Sequence, residues 1–144
     1  GNIGCLESYA GGWAIAKRAQ QAVQSDEKAG APLLELSGGK VANISAKHVS
    51  DAYKKGDPLA GRLMQETLEA LIDSCSGLVN AFNPCRFILG GGVIEGLPEL
   101  IDQIEEGVKK KALAAASGRL SFHNAALGNE AGVIGAAALV FNQS

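Results

Sequence analysis

Two short stretches of this chain combine residue types that can do chemistry. The first is Gly1-Asn2-Ile3-Gly4-Cys5-Leu6-Glu7, which packs two glycines, a thiol and a carboxylate into seven residues. A thiolate can ligate a soft metal, and a carboxylate offers about four lone-pair sites to neighbouring hydroxyl donors. The second is Arg86-Phe87-Ile88-Leu89 running into Gly90-Gly91-Gly92 and Val93. Glycines at the C-terminal end of a parallel strand let a ligand lie against bare backbone, where open α/β sheets place their ligands. Each stretch also has a plain structural reading. A lone cysteine is commonly a small buried hydrophobe, a glutamate at a helix start a dipole partner, and a glycine triplet a tight turn.

The triplet does not fit the common nucleotide fingerprints. Gly90 to Gly96 lacks the helix start expected after the third glycine of a dinucleotide loop, and no Gly-Lys-Ser/Thr follows as in a Walker loop. His48, on an expected helix, and His123, after an expected strand, read as ordinary polar residues.

The elements that must position these residues follow from periodicity and punctuation. Residues 6 to about 23 read as a soft helix containing Gly11 and Gly12, and Pro32–Leu36 as a short extended piece within a polar, Gly-rich stretch. Ser45 caps a helix to about Lys55, stopped by Gly56. Asp57-Pro58 starts another, since proline in the first turn has no N–H to lose. Leu59, Leu63, Thr67, Leu71, Cys75, Leu78 and Phe82 recur at three- and four-residue steps, which predicts one long amphipathic helix ended by Asn83-Pro84. Residues 86–89 form a short buried strand, residues 97–113 a helix with Leu100, Ile101, Ile104 and Val108 on one face, and residues 119–122 a second strand. Asn129 caps a final helix, Glu130 to Phe141, of which Ala131–Phe141 is apolar all round and therefore expected to be buried.

Strands alternating with helices predict an α/β layer arrangement with a parallel pair. Parallel sheets usually have about four to six strands, so the shortage points to completion by residues outside the chain or by a second copy. A start at Gly1 without Met suggests a fragment. Glycine is 19 of 144 residues, about 13% against an average near 7%, and it clusters in short loops rather than in a linker. The net charge of −2 and a pI near 5.7 leave no basic stripe for direct nucleic-acid binding. The run Lys109-Lys110-Lys111 suits a helix C-terminus. No apolar run reaches the ~18 residues of a membrane span. Three cysteines with no paired spacing fit a reducing cytoplasm.

Gly-x-x-Gly-Cys-x-Glu followed by Gly11-Gly12 resembles the end of the zinc and sugar motif of the ROK family (repressors, open reading frames, sugar kinases). Members typically read Cys-x-Cys-Gly-x-x-Gly-Cys-x-Glu there, with a zinc-binding His upstream. Asn83-Pro84 before residues 87–93 is similar to the family's strand and adenosine loop, and Ala126 to Ala136 to its closing helix. The resemblance covers essentially the whole chain in order; Gly11, where the family often has Ser, is a mild departure.

The resemblance implies a helix-rich α/β chain, the C-terminal lobe of an actin-like, ribonuclease-H-like domain with an incomplete short-stranded sheet over residues 1–144. It implies an ATP-dependent hexose kinase of the glucokinase or fructokinase type, using ATP with Mg and carrying a structural zinc. In that reading Cys5 is a zinc cysteine, Glu7 accepts hydrogen bonds from sugar hydroxyls, and Gly90, Gly91, Gly92 and Val93 lie under the adenosine. The catalytic aspartate, the phosphate loops and the other zinc ligands belong upstream of Gly1, so the chain alone is expected to be inactive. The same lobe also serves a sugar-responsive repressor. A third alternative is a non-catalytic module that self-associates through its open strand edges, in keeping with an expected homo-oligomer.

Overall fold

A computed structural model describes residues 4–141 of the chain. The core is built around one long helix. It follows four shorter α-helices, α1 (Glu7–Ala10), α2 (Gly12–Ser25), α3 (Ala31–Leu36) and α4 (Ala46–Lys54); α5 itself spans Pro58–Phe82. The expected first helix is split, because Gly11 adopts an extended ψ of 143° between α1 and α2. The expected extended piece at Pro32–Leu36 is helical instead. Pro32 occupies the first turn of α3, where a missing N–H costs nothing, and Leu33 is fully buried as its anchor.

Side-chain caps form at Ser45 and Asp57. Ser45 Oγ accepts from His48 N at 3.4 Å, while Ser45 N donates to His48 Nδ1 at 3.2 Å, a reciprocal box at the start of α4. Asp57 Oδ1 accepts from Ala60 N at 2.7 Å at the start of α5. Asn83 ends α5 in the left-handed region, φ 46°.

The buried face of α5 departs from the predicted one near its end. Val79 is fully buried, whereas Leu78 and Phe82 are exposed, Phe82 by 75%. The reason is what packs there. Helix α7 (Leu100–Lys111) and the short α8 (Ala114–Ser117) lie on the side of Ile72 and Asn80: a Cβ on Gly107 would sit 2.3 Å from Ile72 Cδ1, and Asn80 Oδ1 accepts from Leu113 N at 2.9 Å. Leu78 points away from that side.

Strands β1 (Arg86–Leu89) and β2 (Ser121–Asn124) pair in parallel, with Arg86 opposite Ser121 and Leu89 opposite Asn124. Between them run α6 (Gly92–Gly96), α7 and α8. Strand β2 lies two residues later than predicted, because pairing sets its register: Ser121 N donates to Cys85 O and Ala125 N to Leu89 O. Phe87 and Phe122 stack at 5.1 Å on the face toward the helices. The opposite face is bare, so β1 is not the fully buried strand expected: Arg86 and Ile88 are exposed, Ile88 by 67%. The predicted face of α7, with Leu100, Ile101, Ile104 and Val108, is buried as read. That helix begins at Leu100 rather than Leu97, since Leu97 precedes proline and takes a non-helical φ of −141° and ψ of 70°.

The last helix, α9 (Ala131–Phe141), overturns another expectation. It is apolar throughout, yet all its residues are exposed, Val133 by 75% and Phe141 by 78%. It packs chiefly on the 3-10 turn Gly128–Glu130 from which it emerges. The side chain of its expected cap, Asn129, lies outside what is described. Among the described residues no helix is long and apolar enough to cross a membrane.

Glu105 ties α7 to β2, accepting from Phe122 N at 3.2 Å and pairing with Lys109. The Lys109 ammonium, opposed by partial burial and aided by the Phe122 N–H, holds this carboxyl below its ordinary value of 4.5. A depressed folded pKa contributes stability above the unfolded value, and that contribution is lost as pH falls through the folded one. Glu105→Gln is therefore expected to lower stability at neutral pH by less than about 1 kcal/mol. The gap should close in acid; thermal unfolding of both proteins from neutral pH downward checks this.

Candidate functional site

The α1–α2 corner carries the first group. Glu7 opens α1 and is exposed. Its Oε1 accepts a hydrogen bond from Trp13 Nε1 at 3.2 Å. The backbone of α1 is fastened from below by Arg18 of α2, whose Nη2 donates to Tyr9 O at 2.7 Å and to Thr67 Oγ1 of α5 at 2.8 Å. The other terminal nitrogen of Arg18 pairs with Glu66 at 2.6 Å. A fork of donors shared between a helix carbonyl and two α5 side chains fixes where α1 sits.

The second group lies across a cleft from this corner. Gly91 has φ 103°, a conformation L side chains rarely adopt, and it turns the chain from β1 directly into α6. A helix thus does start at the third glycine, contrary to the sequence reading. The triplet and Val93 face Gly11, Gly12 and Ala46 across a cavity of about 470 Å³. A second cavity, about 460 Å³, shares Ala46, Gly92 and Val93 and continues along α4 past Lys47, Ser50 and Lys54. Each is of ligand size. Lys54 Nζ donates to Gly96 O at 2.8 Å, tying α4 to the end of α6 and setting the width of this trough. Lys47 bonds Asp51 at 3.1 Å and holds its carboxyl below the ordinary value.

The structure thus brings residues 90–93 and the glycines beside Glu7 to one trough. It does not build a metal centre. Cys5 is exposed, and among the described residues no group of three His, Cys, Asp or Glu side chains is placed to hold a metal. A closed zinc site is four-coordinate, and Cys5 is one ligand of such a set at most. Gly1, Asn2 and Ile3 of the motif lie outside the described residues. Sequence reasoning missed Trp13, Arg18 and the α4 wall. Arg18 meets Thr67 from 49 residues away, and no periodicity reports such a contact. Trp13 was legible only as the chain's one tryptophan.

Comparison with known proteins gives three kinds of match. The ROK family profile matches residues 1–143. A glucokinase from Streptomyces coelicolor is 32% identical over 140 residues, which is 96% of this chain and 44% of that protein. The DNA-binding transcriptional dual regulator NagC of Escherichia coli is 29% identical, covering 97% of this chain and 32% of its own length. Among solved structures, a ROK family glucokinase from Streptomyces griseus in complex with glucose and AMPPNP superposes with a TM-score of 0.80 and 33% identity, over 96% of this chain and 45% of that one. The chain therefore spans less than half the length of these relatives, and its fold is that of the actin-like sugar kinases.

Proposed function

The chain belongs to the ROK family, and from that membership we propose that it forms one lobe, the C-terminal one, of an ATP-dependent hexose kinase. Glu7 orients the sugar by accepting hydrogen bonds from its hydroxyls. Gly90, Gly91, Gly92 and Val93 seat the adenosine of ATP, which enters with Mg. The observation that carries this reading is the trough in which Gly11 and Gly12, beside Glu7, face the glycine triplet. Sugar and nucleotide held on facing walls are what phosphoryl transfer requires, since its catalysis is mostly positioning and charge stabilisation. The similarity to a glucokinase structure holding glucose and AMPPNP supports it.

The general base and the phosphate-facing groups then belong to the remainder of the protein, and Cys5 supplies one zinc ligand to a set completed there. The same remainder covers the bare sheet face and α9, whose Val133, Leu139, Val140 and Phe141 are each exposed by more than two thirds. A second reading rests on the match to NagC: the lobe serves a sugar-responsive repressor, with hexose as effector.

The test is to express the complete protein and assay ADP release with ATP across a panel of hexoses. Sugar-dependent turnover is expected. Hexose binding by calorimetry without turnover favours the repressor, and neither binding nor turnover overturns both readings.

A further inference from the structure

We propose that Trp13 is a positioning residue that holds the Glu7 carboxylate in the orientation a hexose requires. The inference rests on the reading of Glu7 as the sugar ligand. Trp13 is the second residue of α2, two residues after the corner at Gly11, and its Nε1 reaches back 3.2 Å to Glu7 Oε1. The corner is shaped around this pair. A Cβ on Gly11 would lie 2.5 Å from Glu7 O, 3.0 Å from Glu7 Cγ and 3.1 Å from Trp13 Nε1. Glycine at this position is therefore what lets the indole and the carboxylate meet.

The chemistry suits positioning rather than charge neutralisation. Indole is donor-only, with one N–H in a fixed direction on a rigid ring. It fills one acceptor site on Oε1 and leaves Oε2 with no donor among the described residues, so adjacent sugar hydroxyls still find most of the carboxylate's lone pairs. A lysine or arginine in its place would compete for both oxygens. An exposed glutamate otherwise samples several rotamers and loses that freedom when a ligand binds. Holding it beforehand lowers that cost, the general source of affinity from preorganisation.

The experiment uses the complete protein and three variants, Trp13→Phe, Glu7→Gln and the double substitution, with hexose and ATP-analogue affinities measured by calorimetry. Phenylalanine keeps an aromatic ring and removes only the N–H. Trp13→Phe is expected to weaken hexose binding by about threefold to tenfold, to leave nucleotide affinity unchanged, and to add nothing in the Glu7→Gln background. Unchanged hexose affinity in Trp13→Phe, or an equal loss with and without the Glu7 carboxylate, overturns the proposal while leaving the sugar reading intact. Full hexose affinity in Glu7→Gln overturns the sugar reading and the proposal with it. Should Trp13→Phe not fold, the indole N–H resonance of the wild-type protein decides. It should move in Glu7→Gln and on adding hexose, and an unmoved resonance overturns the proposal.

Discussion

Glu7→Ala in the complete protein is expected to weaken hexose binding by about a hundredfold or more, with nucleotide affinity nearly untouched. The magnitude follows from what the carboxylate does. A hydrogen bond to a charged group contributes about 1.5–3 kcal/mol, and two adjacent hydroxyls engage Glu7 in the proposed pose. At 1.4 kcal/mol per factor of ten, losing both exceeds two decades. The selectivity follows from the geometry. Glu7 opens α1 at the α1–α2 corner, whose Gly11 and Gly12 line the trough opposite the glycine triplet. The fold should tolerate the change, because Glu7 is exposed and α1 is held by Arg18 through the Tyr9 carbonyl and not through Glu7 itself. Calorimetric titration of hexose and of an ATP analogue against both proteins separates the two effects. Equal losses for both ligands would remove Glu7 from the sugar site.

Gly92→Val is expected to do the reverse, lowering nucleotide affinity by about tenfold to a hundredfold while sparing the hexose. Of the three glycines, only this one allows a clean test. A side chain on Gly91 is strained by its φ of 103°, and a Cβ on Gly90 would come within 2.8 Å of Ala125 Cβ. Gly92 has neither obstacle: its φ is negative and a Cβ there meets nothing within 4 Å. The added isopropyl group therefore projects into the trough that Gly92 shares with Ala46 and Val93. Forcing extra methyl groups into a fitted space costs about 1–3 kcal/mol, about one to two decades in affinity. An ATP analogue titrated into both proteins measures it. Unchanged affinity would reduce the triplet to a turn.

These expectations draw unevenly on sequence and structure. Local chemistry was legible in the residues. Ser45 and Asp57 cap their helices as their side chains dictate, Asn83-Pro84 ends α5, and Leu100, Ile101, Ile104 and Val108 form the buried stripe of α7. Each depends on interactions within one turn of helix or on a single periodic face, so neighbours in sequence suffice to specify it. The order of the motifs along the chain likewise points to the ROK family, a reading that the match over residues 1–143 bears out.

What the residues alone left open depends on which surfaces meet. Periodicity marked α5 as amphipathic, yet it could not tell that α7 and α8 would cover the Ile72 and Asn80 side and leave Leu78 and Phe82 outside. An apolar pattern marked Ala131–Phe141 for burial, and only the fold revealed that these residues stay exposed among the described residues. Hydropathy states a preference for burial; burial itself needs a partner surface. The site divides the same way. Glu7 and residues 90–93 stood out by type and spacing, but the approach of Gly11 and Gly12, beside Glu7, to residues 90–93 across one trough is a tertiary fact. So is the fork of Arg18 that holds α1, and so is the indole of Trp13 folded back onto Glu7 at the Gly11 corner. Contacts between residues far apart in the chain, and the direction in which a glycine corner turns, are set by packing, and packing exists only once the chain has folded.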